Sequence, residues 1–172
     1  MGKSGKKITT FAKIIFTKHQ LTPIIGTYEC KIDAKGRVLV PASLKKQMPA
    51  ISDGFVLKRS VFEPCLELWP MTEWNKMMAK INKLNPFDKK VDAFIRRFMA
   101  GVKIVDIDDA GRLLISKDLM GFAQMTKEIV FSSKVNIVEV WDKARYEATL
   151  ESDDFDFGEL AQEVMSNISF DE

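Results

Sequence analysis

Over residues 27–32 β-formers alternate with polar residues, placing Tyr28, Cys30 and Ile32 on one side, the period-two pattern of a half-buried strand. Residues 33–36 then read as a turn. Val38, Leu39 and Val40 resume a strand, and Pro41 suits the first position of a short helix carrying Leu44 and Met48. Gly54 precedes a strand at Phe55, Val56 and Leu57, and residues 65–69 form the next. From Pro70 and Thr72 to about Leu84 the period becomes helical, with Trp74, Met77, Met78 and Ile81 on one face. Asn85 and Pro86 predict the start of a further helix, whose Val91, Phe94, Ile95, Phe98 and Met99 fall at helical spacing and which Gly101 stops. That stripe marks core or interface, while Arg96 and Arg97 point the other way, onto a solvated face.

The plan then recurs: a strand over 102–107, a turn over 108–111, a strand over 112–115 and a short helix near 117–121. Strands at 129–132 and 136–141 follow, and Asp142 caps a helix running to about Leu150. Leu160, Ala161, Val164, Met165 and Ile168 form a last amphipathic stripe, docked or only nascent. The recurrence is visible in the residues themselves. Ile32-Asp33-Ala34-Lys35-Gly36-Arg37-Val38-Leu39 and Ile107-Asp108-Asp109-Ala110-Gly111-Arg112-Leu113-Leu114 agree at five of eight positions, 75 residues apart. A second echo keeps the order: Glu67-Leu68-Trp69 with Trp74 returns as Glu139-Val140-Trp141 with Tyr146 at an offset of 72. The chain therefore reads as an internal duplication. It divides into a basic extension (1–26), a first repeat with its helix (27–85), a connecting amphipathic helix (86–101), a second repeat (102–150) and an acidic tail (151–172).

Charge sharpens that division. Of the 172 residues, 1–26 carry five Lys and no acid, 151–172 carry eight acids and no base, and the body between holds 21 basic and 16 acidic residues. The repeats are thus basic once the tail is set aside, a balance that permits a nucleic-acid partner. Two cysteines, Cys30 and Cys65, without disulfide spacing suit a reduced, cytoplasmic protein. No apolar run approaches the roughly 18 residues of a membrane helix. The leader, interrupted by Lys13 and lacking a cleavage site, makes a poor signal peptide. Chemistry is scarce: the single histidine, His19, lies in the leader, and no metal-ligand cluster or phosphate-cradling glycine loop is present. An enzyme is not expected, nor a cofactor, a metal or a small-molecule substrate.

In Asp-x-x-x-Arg turns the Asp carboxylate can accept from nearby backbone amides, and Gly36 or Gly111 can take the positive φ that tightens the return. Turn chemistry does not require Arg37 and Arg112. An Arg leaving a tight turn has a short ordered stem and a fork that suits phosphate or the O6/N7 edge of guanine. It can equally close an internal ion pair with the Asp, worth at most about 1 kcal/mol if exposed. Residue types alone leave both open.

The doubled motif with Pro41, together with Leu68-Trp69-Pro70 and Glu73-Trp74, closely resembles the MraZ family over about residues 25–150. These are bacterial transcriptional regulators of the division and cell wall gene cluster, within the AbrB-like swapped-hairpin superfamily. The resemblance implies an α+β chain of two tandem, interlocking AbrB-like swapped-hairpin repeats with pseudo-twofold symmetry and peripheral helices. It further implies a ring-shaped homo-oligomer that binds double-stranded DNA at promoter direct repeats as a repressor, nucleoid-associated in the cytoplasm. Carried onto this sequence, the DNA-contacting roles fall on Arg37 and Arg112, positioned by Asp33 and Asp108, with Gly36 and Gly111 shaping the turns and Lys35 a phosphate contact. Ala110 stands opposite Lys35, so the two turns are expected to be unequal, with Arg37 the stronger contact. Two other readings are an AbrB-type antitoxin that neutralises a toxin through its tail, against which the doubled motif argues, and an assembly protein that binds no DNA.

Overall fold

The computed structural model describes residues 23–48, 53–152 and 156–168, so nearly all of the basic leader lies outside the described residues. The first half consists of β1 (Thr27–Lys31), β2 (Arg37–Leu39), α1 (Ala42–Gln47), β3 (Phe55–Arg59), β4 (Leu66–Pro70), α2 (Met71–Ile81) and α3 (Lys89–Phe98). The second consists of β5 (Lys103–Val105), β6 (Arg112–Leu114), α4 (Lys117–Phe122), β7 (Glu128–Lys134), β8 (Ile137–Asp142), α5 (Lys143–Leu150) and α6 (Phe157–Ser166). The order ββαββαα occurs twice, in an α+β protein of two tandem copies.

The copies are interwoven. The six-stranded antiparallel sheet runs β1-β7-β8-β4-β3-β5, so each copy's first strand pairs with the other copy's third. Exchanging the copies reproduces that order in reverse. The centre of this pseudo-symmetry falls where Glu67 of β4 lies opposite Glu139 of β8. The second strands form their own ribbon, β2 against β6, and Ile32 and Ile107 bridge back to Val38 and Leu113 to close each hairpin.

Period-two patterning decides which face of the sheet does what. Phe55, Leu57, Leu66, Leu68, Ile129, Phe131, Val138 and Val140 point to one side and join Val38, Leu44, Leu113, Ile115 and Leu119 in the main core. Burying each such side chain contributes about 1.5–3 kcal/mol. This face carries the ribbon with α1 and α4. The opposite face carries the aromatic echo: Trp69 meets Trp74 edge to face at 6.1 Å, and Trp141 meets Tyr146 in the same way at 5.9 Å. Each Trp ring N–H donates to the glutamate two residues earlier, Glu67 or Glu139, at 3.0 Å.

Three expectations shift. The connecting helix begins at Lys89 rather than Asn85, because the Asn85 side chain accepts from the Phe87 amide in a local turn and Asp88 takes the cap, accepting from the Lys90 amide. The strand after Gly101 is only Lys103–Val105, since the chain leaves β3 to enter the hairpin. The final stripe is a formed helix, capped by Asp156 accepting from the Glu159 amide, and it buries none of its residues. Among the described residues no helix is long and apolar enough to cross a membrane.

Candidate nucleic-acid interface

Each turn is built from its own backbone outward. Asp33 N–H donates to the Arg37 carbonyl and Gly36 N–H to the Asp33 carbonyl, both at 2.9 Å; Asp108, Arg112 and Gly111 repeat the pair at 2.9 and 2.8 Å. Gly36 and Gly111 sit at φ 84° and 79°, where a side chain is strained. The Asp33 carboxylate accepts from the amides of Lys35 and Arg37 at 2.9 Å, and Asp108 accepts from the Arg112 amide at 2.8 Å. The Arg amide is the largest cause holding each aspartate below the ordinary carboxylate range, and its guanidinium adds to the effect.

The ion pair and the free fork turn out to be compatible. Arg37 Nε donates to Asp33 Oδ2 at 2.8 Å, and Arg112 Nε to Asp108 Oδ2 at 3.0 Å. Among the described residues the η nitrogens of both arginines make no hydrogen bond, so the aspartate fixes the stem and leaves the outer edge of each guanidinium to solvent. The two side chains are 39% and 42% exposed. An exposed pair of this kind adds little stability. What it supplies is orientation.

Ribbon register brings the two turns together. Arg37 lies opposite Leu114, Val38 opposite Leu113 and Leu39 opposite Arg112. Alternation sends Val38 and Leu113 into the core and turns Arg37, Leu39, Arg112 and Leu114 outward on one face. Further backbone bonds clamp the arrangement: Val40 N–H donates to the Gly111 carbonyl at 2.9 Å, and Ile115 N–H to the Gly36 carbonyl at 2.8 Å. Leu39 and Leu114 are 62% and 57% exposed. Attention to charged residues passes over them, although large apolar side chains turned to solvent at equivalent positions in both copies were a readable signal. Lys35 is exposed at the tip of the first turn, where its amide, not its side chain, serves the fold.

Desolvation pushes the Cys30 thiol up to about 11 and Cys65 to about 12, so neither offers a thiolate near neutral pH. Among the described residues no group of three or more His, Cys, Asp and Glu side chains is arranged to hold a metal ion.

The chain resembles known proteins along nearly its whole length. A family model described as "MraZ protein, putative antitoxin-like" matches twice, over residues 24–97 and 98–167. A protein of Christiangramia forsetii named Transcriptional regulator MraZ is 62% identical over 149 residues, covering 86% of this chain and 96% of that protein. Its namesake in Flavobacterium psychrophilum is 59% identical over 153 residues, 88% and 98% of the two chains. That of Bacteroides thetaiotaomicron is 33% identical over 145 residues, 83% and 92%.

Proposed function

The chain belongs to the MraZ family, and from that premise we propose that it is a DNA-binding transcriptional regulator that reads promoter direct repeats with the face of its β2/β6 ribbon. The observation that carries the reading is the pair of guanidinium groups, each anchored through Nε and open at its outer edge, on one small exposed face. A two-stranded ribbon fits a major groove about 12 Å wide, and an Arg fork matches O6 and N7 of guanine. Arg37 and Arg112 contact bases or phosphates, Asp33 and Asp108 hold their stems, Gly36 and Gly111 set the turns, and Lys35 meets phosphate. Leu39 and Leu114 between the arginines suit the methyl group of thymine.

One such face is small, since even single modules bury on the order of 600 Å² or more in specific complexes. Tight binding then asks for several copies, and the helices offer a means of assembly. α3 bears Lys89, Lys90, Arg96 and Arg97 around a partly exposed stripe with Phe94. α6 bears Glu159 and Glu163 around an exposed stripe with Phe157, Val164 and Met165, and residues 151–172 contain no base. Basic α3 of one copy against acidic α6 of the next is a head-to-tail contact, which closes into a ring or runs on as a filament. A ring that meets equally spaced repeats converts weak contacts into avidity. The reading extends to repression of the cell's division and cell wall genes from a cytoplasmic, nucleoid-associated position. The acidic face of α6 also favours a second reading, in which it binds a toxin.

Titration of the duplex upstream of the gene at two salt concentrations, beside a scrambled duplex, tests the proposal. Binding should be steeply salt-dependent and selective for the native repeats and their spacing. Equal affinity for the scrambled duplex defeats it. Light scattering on the same sample counts the subunits.

A further inference from the structure

Along the sequence the two turns are unequal in charge. The first motif, residues 33–37, has two bases and one acid, whereas the second, residues 108–112, has Asp109 and Ala110 in place of Ala34 and Lys35 and so has one base and two acids. Taken alone, the second turn would meet a phosphate poorly. The interwoven fold alters that balance, because α1 of the first copy stands beside the second turn and α4 of the second copy beside the first. Lys45 Nζ lies 3.4 Å from where a Cβ on Gly111 would stand, and Met120 Sδ lies 3.2 Å from the matching point on Gly36. Lys45 and Met120 are themselves equivalent, 75 residues apart, and each follows a fully buried leucine, Leu44 or Leu119, that fixes its helix to the core.

We infer that Lys45 is the phosphate-binding cation of the second turn, supplied across the repeat boundary by α1 where Ala110 provides none. This rests on the reading of the turns as DNA contacts. Lys45 is half-buried, which limits its freedom, and among the described residues its ammonium makes no hydrogen bond or ion pair. The carboxylates around it are accounted for. Asp108 is held by Arg112 at 3.0 Å and Glu29, in the same groove, by Lys143 at 2.9 Å; Asp109 is exposed. A compact ammonium suits a phosphate oxygen. Each turn then presents one arginine and one lysine. At the first turn the lysine is Lys35, with Met120 behind it; at the second it arrives from α1.

The test compares the full chain with Lys45→Gln, Lys35→Gln, Met120→Leu, Arg37→Ala and Arg112→Ala on the duplex upstream of the gene, across a salt series. Lys45→Gln should weaken binding roughly fivefold per engaged subunit near 0.15 M salt and lower the salt slope by about 0.9, as one lost phosphate contact does. Lys35→Gln should do the same, and Met120→Leu nothing. Adding Ala110→Lys to Lys45→Gln should restore both affinity and slope, which repair of a merely structural role would not do. The inference is overturned if Lys45→Gln leaves affinity and slope unchanged while the arginine variants lose binding. If the arginine variants also bind normally, the reading of the turns fails, and the role of Lys45 fails with it.

Discussion

The two halves of this chain share a turn but not its surroundings. At the first turn a Cβ on Gly36 would fall 2.2 Å from the Ile115 carbonyl oxygen, whereas at the second the nearest neighbour of a Cβ on Gly111 is the end of Lys45 at 3.4 Å. On the opposite face of the sheet, Lys58 is fully buried, bound to Glu67 at 3.1 Å and lying 4.5 Å over the Phe98 ring. At the equivalent glutamate the position of Lys58 is held by Ser132, and Lys134, two residues further on, reaches Glu139 at 2.7 Å with 55% of its side chain in solvent. α3 also lays Phe98 flat on Trp74 at 5.9 Å and over Lys58, whereas α6 buries none of its described residues. The halves hold in common the backbone hydrogen bonds of the turn, the Asp–Arg pairs and the Trp–Glu bonds. Where they differ, one copy has replaced a side chain that the other needs.

The widest separation is expected at the glutamates. Glu67→Ala leaves the buried Lys58 ammonium without its carboxylate, with the Arg59 carbonyl as its remaining acceptor, and should cost about 3–5 kcal/mol, against about 1 kcal/mol for Glu139→Ala, whose lysine turns to water. Denaturant melts of the two variants read this directly, and equal losses would erase the distinction. Next come the glycines. Gly36→Ala combines a positive φ with a backbone clash and should lose roughly 2–4 kcal/mol, whereas Gly111→Ala carries only the conformational term of about 1–2 kcal/mol. On DNA, Arg37→Ala and Arg112→Ala should each cost about 1–3 kcal/mol and relax base preference. Measured on mutated operators, a much larger effect at Arg37 would restore the inequality that the sequence suggests and Lys45 removes.

The smallest effect concerns pH, and it should have the same direction in both halves. Asp33 and Asp108 have folded pKa values depressed below 3.8, so their contribution is complete above the ordinary carboxylate range and is lost as pH falls through the lower folded values. Carboxyl chemical shifts followed by NMR should give both midpoints below 3.8. A midpoint at or above that value for either residue would mean that its turn is not held as described.

The hairpin turns were legible because their chemistry is local: Asp, Gly and Arg within five residues specify the hydrogen bonds. So was the duplication, and with it the α+β plan. The Glu-Trp echo was visible without its purpose, since facing Glu67 with Glu139 needs the pairing of β4 with β8, and no local pattern states it. The start of α3 was misread because Asn85-Pro86 has the look of a helix entry, while Asp88 makes the better cap. Lys45 was passed over for a deeper reason. Its partner turn lies in the other copy, so its place emerges only when the hairpins interlock.

That interlocking also governs how the protein comes into being. Thr27 waits for Ser132 and Phe55 for Val105, so during synthesis neither half can complete its sheet, and β2 has no ribbon until β6 has been made. Contacts this distant along the chain make folding slow relative to a chain of local hairpins. A nascent or truncated first half therefore carries Arg37 without the β6 strand that sets it beside Arg112 on one face.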